Sequence, residues 1–168
     1  MRILSFYSIA FFTVLLTFTS CNKNQNSKEN MKTENRIENS LFPQGEPNNP
    51  DYFTGEVYLQ PLVSQEKSDG YYSAGSVTFM PGARTNWHIH PSVQTLIVID
   101  GEGWYQEKGK DAVKLQKGSV VPIPVGVEHW HGASDGSKLV HIAITNFKDG
   151  SAVTWLSPVT NEEYNKVK

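Results

Sequence analysis

The sequence predicts an all-β domain, an antiparallel sandwich or barrel closed by one short helix. Three observations carry that prediction. Short apolar segments recur from Thr54 onward; Gly, Pro, Asn and Asp stand between them; and only residues 161–168 read as helical. The 168 residues suffice for one domain with a real core and are too few for two of ordinary size.

Taken in order, the chain opens with Arg2, carries no charge over residues 3–20 and then reaches Cys21, its only cysteine. A basic start, an apolar stretch and small residues before a cysteine form an export signal, so residues 1–21 are expected to be a signal peptide with a lipobox-like end. Thr19-Ser20-Cys21 resembles the lipobox of bacterial lipoproteins, which implies lipidation at Cys21. An uncleaved membrane anchor is the other reading, because residues 3–20 are just long enough to span a bilayer. Either way the domain is expected outside the cytoplasm, as a membrane-anchored lipoprotein in the periplasm or at the outer membrane. Residues 22–40 are rich in Asn, Lys, Glu and Ser with almost no apolar content, and read as a disordered tether. The folded domain then occupies residues 41–168.

Within it, Pro47-Asn48-Asn49-Pro50 is a turn cluster. Strands are expected at 57–63, 74–80 and 95–99. Asp100-Gly101-Glu102-Gly103 reads as a hairpin connection, with Trp104-Tyr105 beginning the returning strand. Further strands follow at 113–115, 119–123, 139–145 and 152–156. In the C-terminal segment Glu162 and Glu163 sit in the first turn, where the helix dipole favours acids. Gly101-x-Gly103 lacks the third glycine and the following helix of a nucleotide loop. With a formal net charge of −2 and no Lys/Arg block in the folded part, nothing suggests binding to nucleic acid or to anionic lipid surfaces; the expected membrane contact is the N-terminal anchor alone. The single cysteine precedes the domain, so no thiol nucleophile is available within it.

Chemistry concentrates in two stretches. His88 and His90 stand two apart, so on an extended chain both imidazoles leave the same face and can offer neutral nitrogens to one ion. His129 and His131 repeat that spacing. Around them run Gly82-x5-His88-x-His90-x3-Gln94-x6-Gly101 and Gly118-x5-Pro124-x-Gly126-x2-His129-x3-Ala133. These blocks resemble the two cupin motifs, with Gln94 where most cupins carry Glu and Ala133 in place of a final Asn. The segments from Pro81 to Pro91, His129 to Ala133 and His141 to Ile144 are similar to the small single-domain cupins that include the manganese-dependent bacterial hydroxynitrile lyases. The resemblance implies a jelly-roll β-barrel, a metal held by His88, His90, Gln94 and His129, and pairing of barrels into a homodimer. It further implies that positions such as Phe79 and Thr85 line the pocket. Thr145 stands in that pocket where the lyases carry Gln.

Three imidazoles and an amide are all neutral, so a bound divalent ion keeps its full charge and acts as a Lewis acid. Mn is the metal the resemblance implies; ligand type alone suits Fe, Zn, Ni and Co as well. His131 and His141 are the candidate acid–base residues, since an imidazole takes or returns a proton near neutral pH. Phe79, Thr85 and Thr145 are the candidate substrate contacts. Arg84, beside the first block, is read as steering an anion or making a surface ion pair, and the four tryptophans as core or rim packing. The expected function is a metal-dependent lyase on a small hydroxynitrile-like or carbonyl substrate. An Fe- or Mn-dependent oxidative cupin and a non-catalytic small-ligand or metal-binding barrel are the alternatives.

Overall fold

The structure, a computed structural model, describes residues 40–167. The expected export signal and Cys21 lie outside the described residues, as does all but the last residue of the expected tether. The strands are β1 Glu46–Pro47, β2 Phe53–Thr54, β3 Val57–Val63, β4 Tyr72–Phe79, β5 Arg84–Thr85, β6 His88–Ile89, β7 Gln94–Glu107, β8 Val113–Gln116, β9 Val120–Ile123, β10 His129–Ala133, β11 Leu139–Asn146 and β12 Thr154–Trp155. One helix, α1 Asn161–Asn165, closes the domain. Neighbouring strands pair antiparallel in the order β1-β3-β4-β11-β7-β10-β5-β2, with β6, β8, β9 and β12 attached at the sides. The all-β jelly-roll architecture expected from the sequence is the one observed.

The main departure concerns residues 100–103. No hairpin forms there; β7 runs unbroken through the segment and belongs to both sheets. Its first half pairs with β11 and β9, its second half with β10 and β8. The glycines permit that crossing. Gly101 has a φ of +76°, and a Cβ there would stand 1.8 Å from the Lys138 carbonyl oxygen. A Cβ on Gly103 would meet the Gly132 carbonyl at 2.1 Å. An Asp-Gly pair that looks like a turn in sequence is here the point where one strand changes sheet.

Two buried clusters flank β10, whose five residues are all buried. Inside the barrel, Val57, Val77, Phe79, Leu96, Val98, Tyr105, Leu115, Ile123 and Leu139 pack together with Ala83 and Ala133. A second cluster joins Trp87, Trp130, Val159 and Tyr164. The helix that supplies Tyr164 starts from a capping box: Glu163 N–H donates to Thr160 Oγ1 (3.1 Å), and Thr160 N–H donates to Glu163 Oε2 (2.9 Å). It is shorter than the sequence suggested, ending at Asn165.

Arg84 also proves different from its sequence reading. It is 4 % exposed and neither faces an anion path nor makes a surface ion pair. Its Nε and Nη2 both donate to the Val159 carbonyl (3.1 and 2.9 Å), Nη2 also to Asn161 Oδ1 (2.8 Å), and Nη1 to the Gly82 carbonyl (3.2 Å). The guanidinium lies 4.6 Å from the Tyr164 ring centroid, a cation–π contact. Arg84 therefore ties the C-terminal segment to the barrel.

Candidate metal centre

Strand pairing assembles the histidines. His88 on β6 pairs with His129 on β10 on one side and with Trp155 on β12 on the other. His131 lies two residues along β10 from His129 and so faces the same way. Gln94 opens β7 opposite Thr145 of β11, and His141 sits on β11 beside a bulge after Val140. The ring centroids of His88 and His129 are 4.1 Å apart, those of His88 and His90 5.1 Å, and those of His90 and His129 5.4 Å. His131 stands 5.4 Å from His88 and 5.0 Å from His141.

Three of these rings are held in the same manner. His88 Nδ1–H donates to the Asn86 carbonyl (2.9 Å), His90 Nδ1–H to the Ala152 carbonyl (2.6 Å) and His129 Nδ1–H to the Val127 carbonyl (2.9 Å). A backbone carbonyl on Nδ1 fixes the tautomer and leaves Nε2 with a free lone pair, the state a metal ligand needs. Asn86 is itself anchored, donating from its backbone N to Tyr52 O and from Nδ2 to Asp51 O, both at 2.9 Å. His90 Nε2, His129 Nε2 and Gln94 Oε1 are all buried without a hydrogen-bond partner. An unpaired buried acceptor carries a desolvation cost that a bound cation would offset.

The tightest grouping of donor atoms is His88, His129 and His131, whose candidate ligand atoms lie within 4.8 Å of one another, so this three-histidine cluster could hold a metal ion. His90, which the sequence motif favours, falls outside that grouping, yet it shares the carbonyl-anchored tautomer and free Nε2 of His129. His131 has no such anchor: its Nδ1 is buried and unpartnered.

Burial keeps the imidazoles neutral. It pushes His88 and His131 well below the ordinary value of 6.5, with neighbouring histidines adding to the effect. His129 and His141 are lowered to about 4, again chiefly by burial. His90 is lowered by burial against the opposing pull of the Ala152 carbonyl and the Gln94 side chain. Five neutral imidazoles in one lumen suit a cation and would repel none.

Four of the histidines, all but His129, open onto a cavity of about 140 Å³. Phe79, Thr85 and Thr145, expected as substrate contacts, line it together with His88, His90, Gln94, His131 and His141. Thr85 Oγ1 also accepts from the His131 backbone N–H (3.2 Å). Sequence reasoning missed Asn48, Phe53, Val77, Val153 and Trp155, which complete the wall with Ala143. Trp155 packs 4.9 Å from His88 and stacks on Tyr52 at 4.8 Å, so it serves the site and not only the rim. Its strand-partner position opposite His88 is a fact of pairing with no local signal. A larger open groove lies at Gly101, Glu102, Gln116, Lys117, Ser134, Gly136 and Ser137, with no histidine in its lining.

The chain forms a two-sheet antiparallel barrel in which histidines from adjacent strands converge on an apolar lumen and could hold a metal ion. Residues 75–145 match the cupin domain family. The chain is 45 % identical over 116 residues to the (R)-mandelonitrile lyase of Granulicella tundricola, covering 69 % of this chain and 88 % of that protein. It is 46 % identical to a cupin-like protein of Thermotoga maritima of known structure, with a TM-score of 0.74 over 77 % of this chain and 97 % of that one. A cupin 2 conserved barrel domain protein of Rhodopseudomonas palustris shares the fold at 17 % identity, with a TM-score of 0.56 over 72 % of this chain and 80 % of that one. The chain belongs to the cupin family.

Proposed function

We propose that this cupin is a metal-dependent carbon–carbon lyase that cleaves a small cyanohydrin-like substrate into an aldehyde and cyanide. The observation that carries the reading is a juxtaposition. One apolar cavity holds a neutral donor set and, beside it, a buried imidazole, His141, with both ring nitrogens unpartnered. The kinship with a mandelonitrile lyase supports the same chemistry.

In this reading His88, His90, His129 and Gln94 hold the ion. The ion would be Mn by resemblance, with Fe, Zn, Ni or Co compatible with the donors. When bound, it supplies Lewis acidity that lowers the pKa of a hydroxyl beside it. The residues of the chain then perform the proton work. A free nitrogen of His141, with His131 adjacent, accepts the substrate hydroxyl proton as the C–C bond breaks and its electron pair leaves with cyanide. The same proton returns to cyanide, so atoms and charge balance. Phe53, Phe79 and Trp155 give the substituent on the carbinol carbon an apolar, largely aromatic wall. Thr85 offers a hydroxyl at that wall.

The test is aldehyde release from racemic mandelonitrile by the Mn2+-loaded full-length chain, followed by ultraviolet absorbance. The reading expects turnover that a chelator abolishes and added Mn2+ restores. Bound metal without aldehyde release under any of the five metals would leave a binding barrel or an oxidative cupin.

The reading places the protein outside the cytoplasm, lipidated at Cys21, on the strength of the Thr19-Ser20-Cys21 sequence. An N-terminal peptide of unmodified mass from a membrane fraction would remove that assignment. It also pairs two barrels through an exposed sheet; a monomer mass in light scattering at micromolar concentration would contradict the pairing.

A further inference from the structure

The lumen carries no formal charge of its own. No Asp, Glu, Lys or Arg lines the cavity. His88, His90 and His129 each donate Nδ1–H to a backbone carbonyl, so each offers Nε2 to a cation as a neutral ring. Gln94, 6 % exposed, is an amide at a position where a carboxylate of the same shape would fit. Glu107 is the cross-strand partner of His129, but Lys110 Nζ stands 2.5 Å from its Oε2 and cancels its charge. A proton on His131 or His141 would only add positive charge.

A divalent ion held here therefore meets no negative charge. A buried charge without a counter-charge is strongly unfavourable. The wall of Phe53, Val77, Phe79, Val153 and Trp155 leaves little water to screen it.

Donors without acceptors point the same way. A neutral imidazole always carries one N–H. Neither ring nitrogen of His141 has a hydrogen-bond partner, although the Ile142 backbone acts on the ring, so His141 presents a buried donor with nothing to receive it. Thr85 Oγ1 accepts from the His131 backbone N–H (3.2 Å), and its own hydroxyl proton stays free to donate. Both residues line the cavity.

Resting on the metal reading above, we propose that the lumen is a receptor for a small monoanion, taken up together with the divalent ion, and that the neutral amide of Gln94 leaves this counter-charge to be supplied from outside. Cyanide, the anion released in the proposed reaction, belongs to that class; so does a small carboxylate from the medium. Cation and anion then strengthen each other's binding by the same factor, which for coupled sites is typically about 5- to 150-fold.

The experiment titrates the metal-free full-length chain with Mn2+ at pH 7 and follows the free ion by electron paramagnetic resonance, without and with saturating azide or formate. Complexes of each anion with Mn2+ in buffer are measured separately. Azide probes a linear anion like cyanide; formate probes a carboxylate. The chains are wild type, Gln94→Glu and Gln94→Ala. The expected result is a Kd for Mn2+ tightened about 5- to 150-fold by azide, by formate or by both in wild type, and the anion that acts identifies the source. Gln94→Ala, which removes a ligand and keeps the lumen neutral, should bind Mn2+ more weakly yet keep the response. Gln94→Glu, which brings its own negative charge, should bind Mn2+ more tightly than wild type without added anion and respond less than about threefold, below the coupled range. Should Gln94→Glu fail to fold, calorimetric titration of azide and of formate into the Mn2+-loaded and metal-free wild type makes the test, with tighter binding to the loaded chain expected. Mn2+ uptake by wild type that neither anion changes, or an undiminished response in Gln94→Glu, overturns the anion receptor and leaves the metal reading standing. A wild-type chain that takes up no Mn2+, Fe2+, Zn2+, Ni2+ or Co2+ overturns both.

Discussion

The two buried regions on either side of β10 treat their polar groups in opposite ways. Around Trp130 and Tyr164, polar atoms are matched. Arg84 uses all three guanidinium nitrogens, Tyr164 donates to the Ala133 carbonyl (2.7 Å), and Trp130 Nε1 donates to Gln106 Oε1 (2.9 Å). Trp87 Nε1, which lies near the Glu163 carboxylate, is the exception in that cluster. Around His129 and His131 the pattern reverses. His90 Nε2, Gln94 Oε1, His129 Nε2, His131 Nδ1 and both nitrogens of His141 are buried without partners. Buried polar groups that only support a fold are satisfied within it, whereas a group kept ready for a ligand has to be left open. By that criterion Arg84 is structural and the histidine lumen is the candidate functional site, although both lie close to the same sequence motif.

The sharpest way to sharpen this contrast is His141→Leu, which replaces an open imidazole by an apolar side chain of similar volume. Turnover is expected to fall by about 100- to 10,000-fold while Mn2+ is retained. The metal-free protein should unfold at an equal or higher denaturant concentration, because an unpaired polar group has been removed. A loss of stability together with a loss of metal would assign His141 to packing and break the comparison.

Arg84→Met probes the other side. Val159 O and Asn161 Oδ1 lose their donors, so chemical denaturation should register a loss of about 2–3 kcal/mol. Metal content per folded molecule should not change. An active-site effect without destabilisation would return Arg84 to the anion-steering role that its sequence position suggested.

The smallest effect per group is that of pH. An imidazole held below its ordinary value of 6.5 binds its proton more readily once the chain unfolds, so stability falls as pH drops below 6.5 and goes on falling down to about 4 for His129 and His141. At pH 5 each fully neutral-locked histidine costs at most about 2 kcal/mol. Urea midpoints of the metal-free chain between pH 7.5 and pH 5 test this. A midpoint independent of pH across that range would mean that the lumen admits protons freely.

Much of the site was legible because local spacing encodes it. His88 and His90, or His129 and His131, share a face by strand alternation alone, and the paired Gly-Pro-His blocks distinguish them from isolated histidines. What stayed hidden depends on pairing across distance. Trp155 reaches His88, Ala152 holds His90, and Thr145 meets Gln94 only once β12 and β11 are in register. Asp100-Gly101 misled for a related reason. Glycine relieves a tight turn and a close backbone approach equally well, and only the three-dimensional neighbour, here the Lys138 carbonyl, says which applies. Arg84 was misread because burial of a charge by neutral carbonyls leaves no mark on its own segment.

The most direct test of the central claim is elemental analysis of the full-length chain, purified without a metal-binding tag, beside its His88→Ala variant. Near-stoichiometric Mn or Fe in the wild type that vanishes in the variant is the result expected from a lumen built to hold an ion. A wild-type protein that arrives metal-free and also refuses added Mn2+, Fe2+, Zn2+, Ni2+ and Co2+ would contradict it.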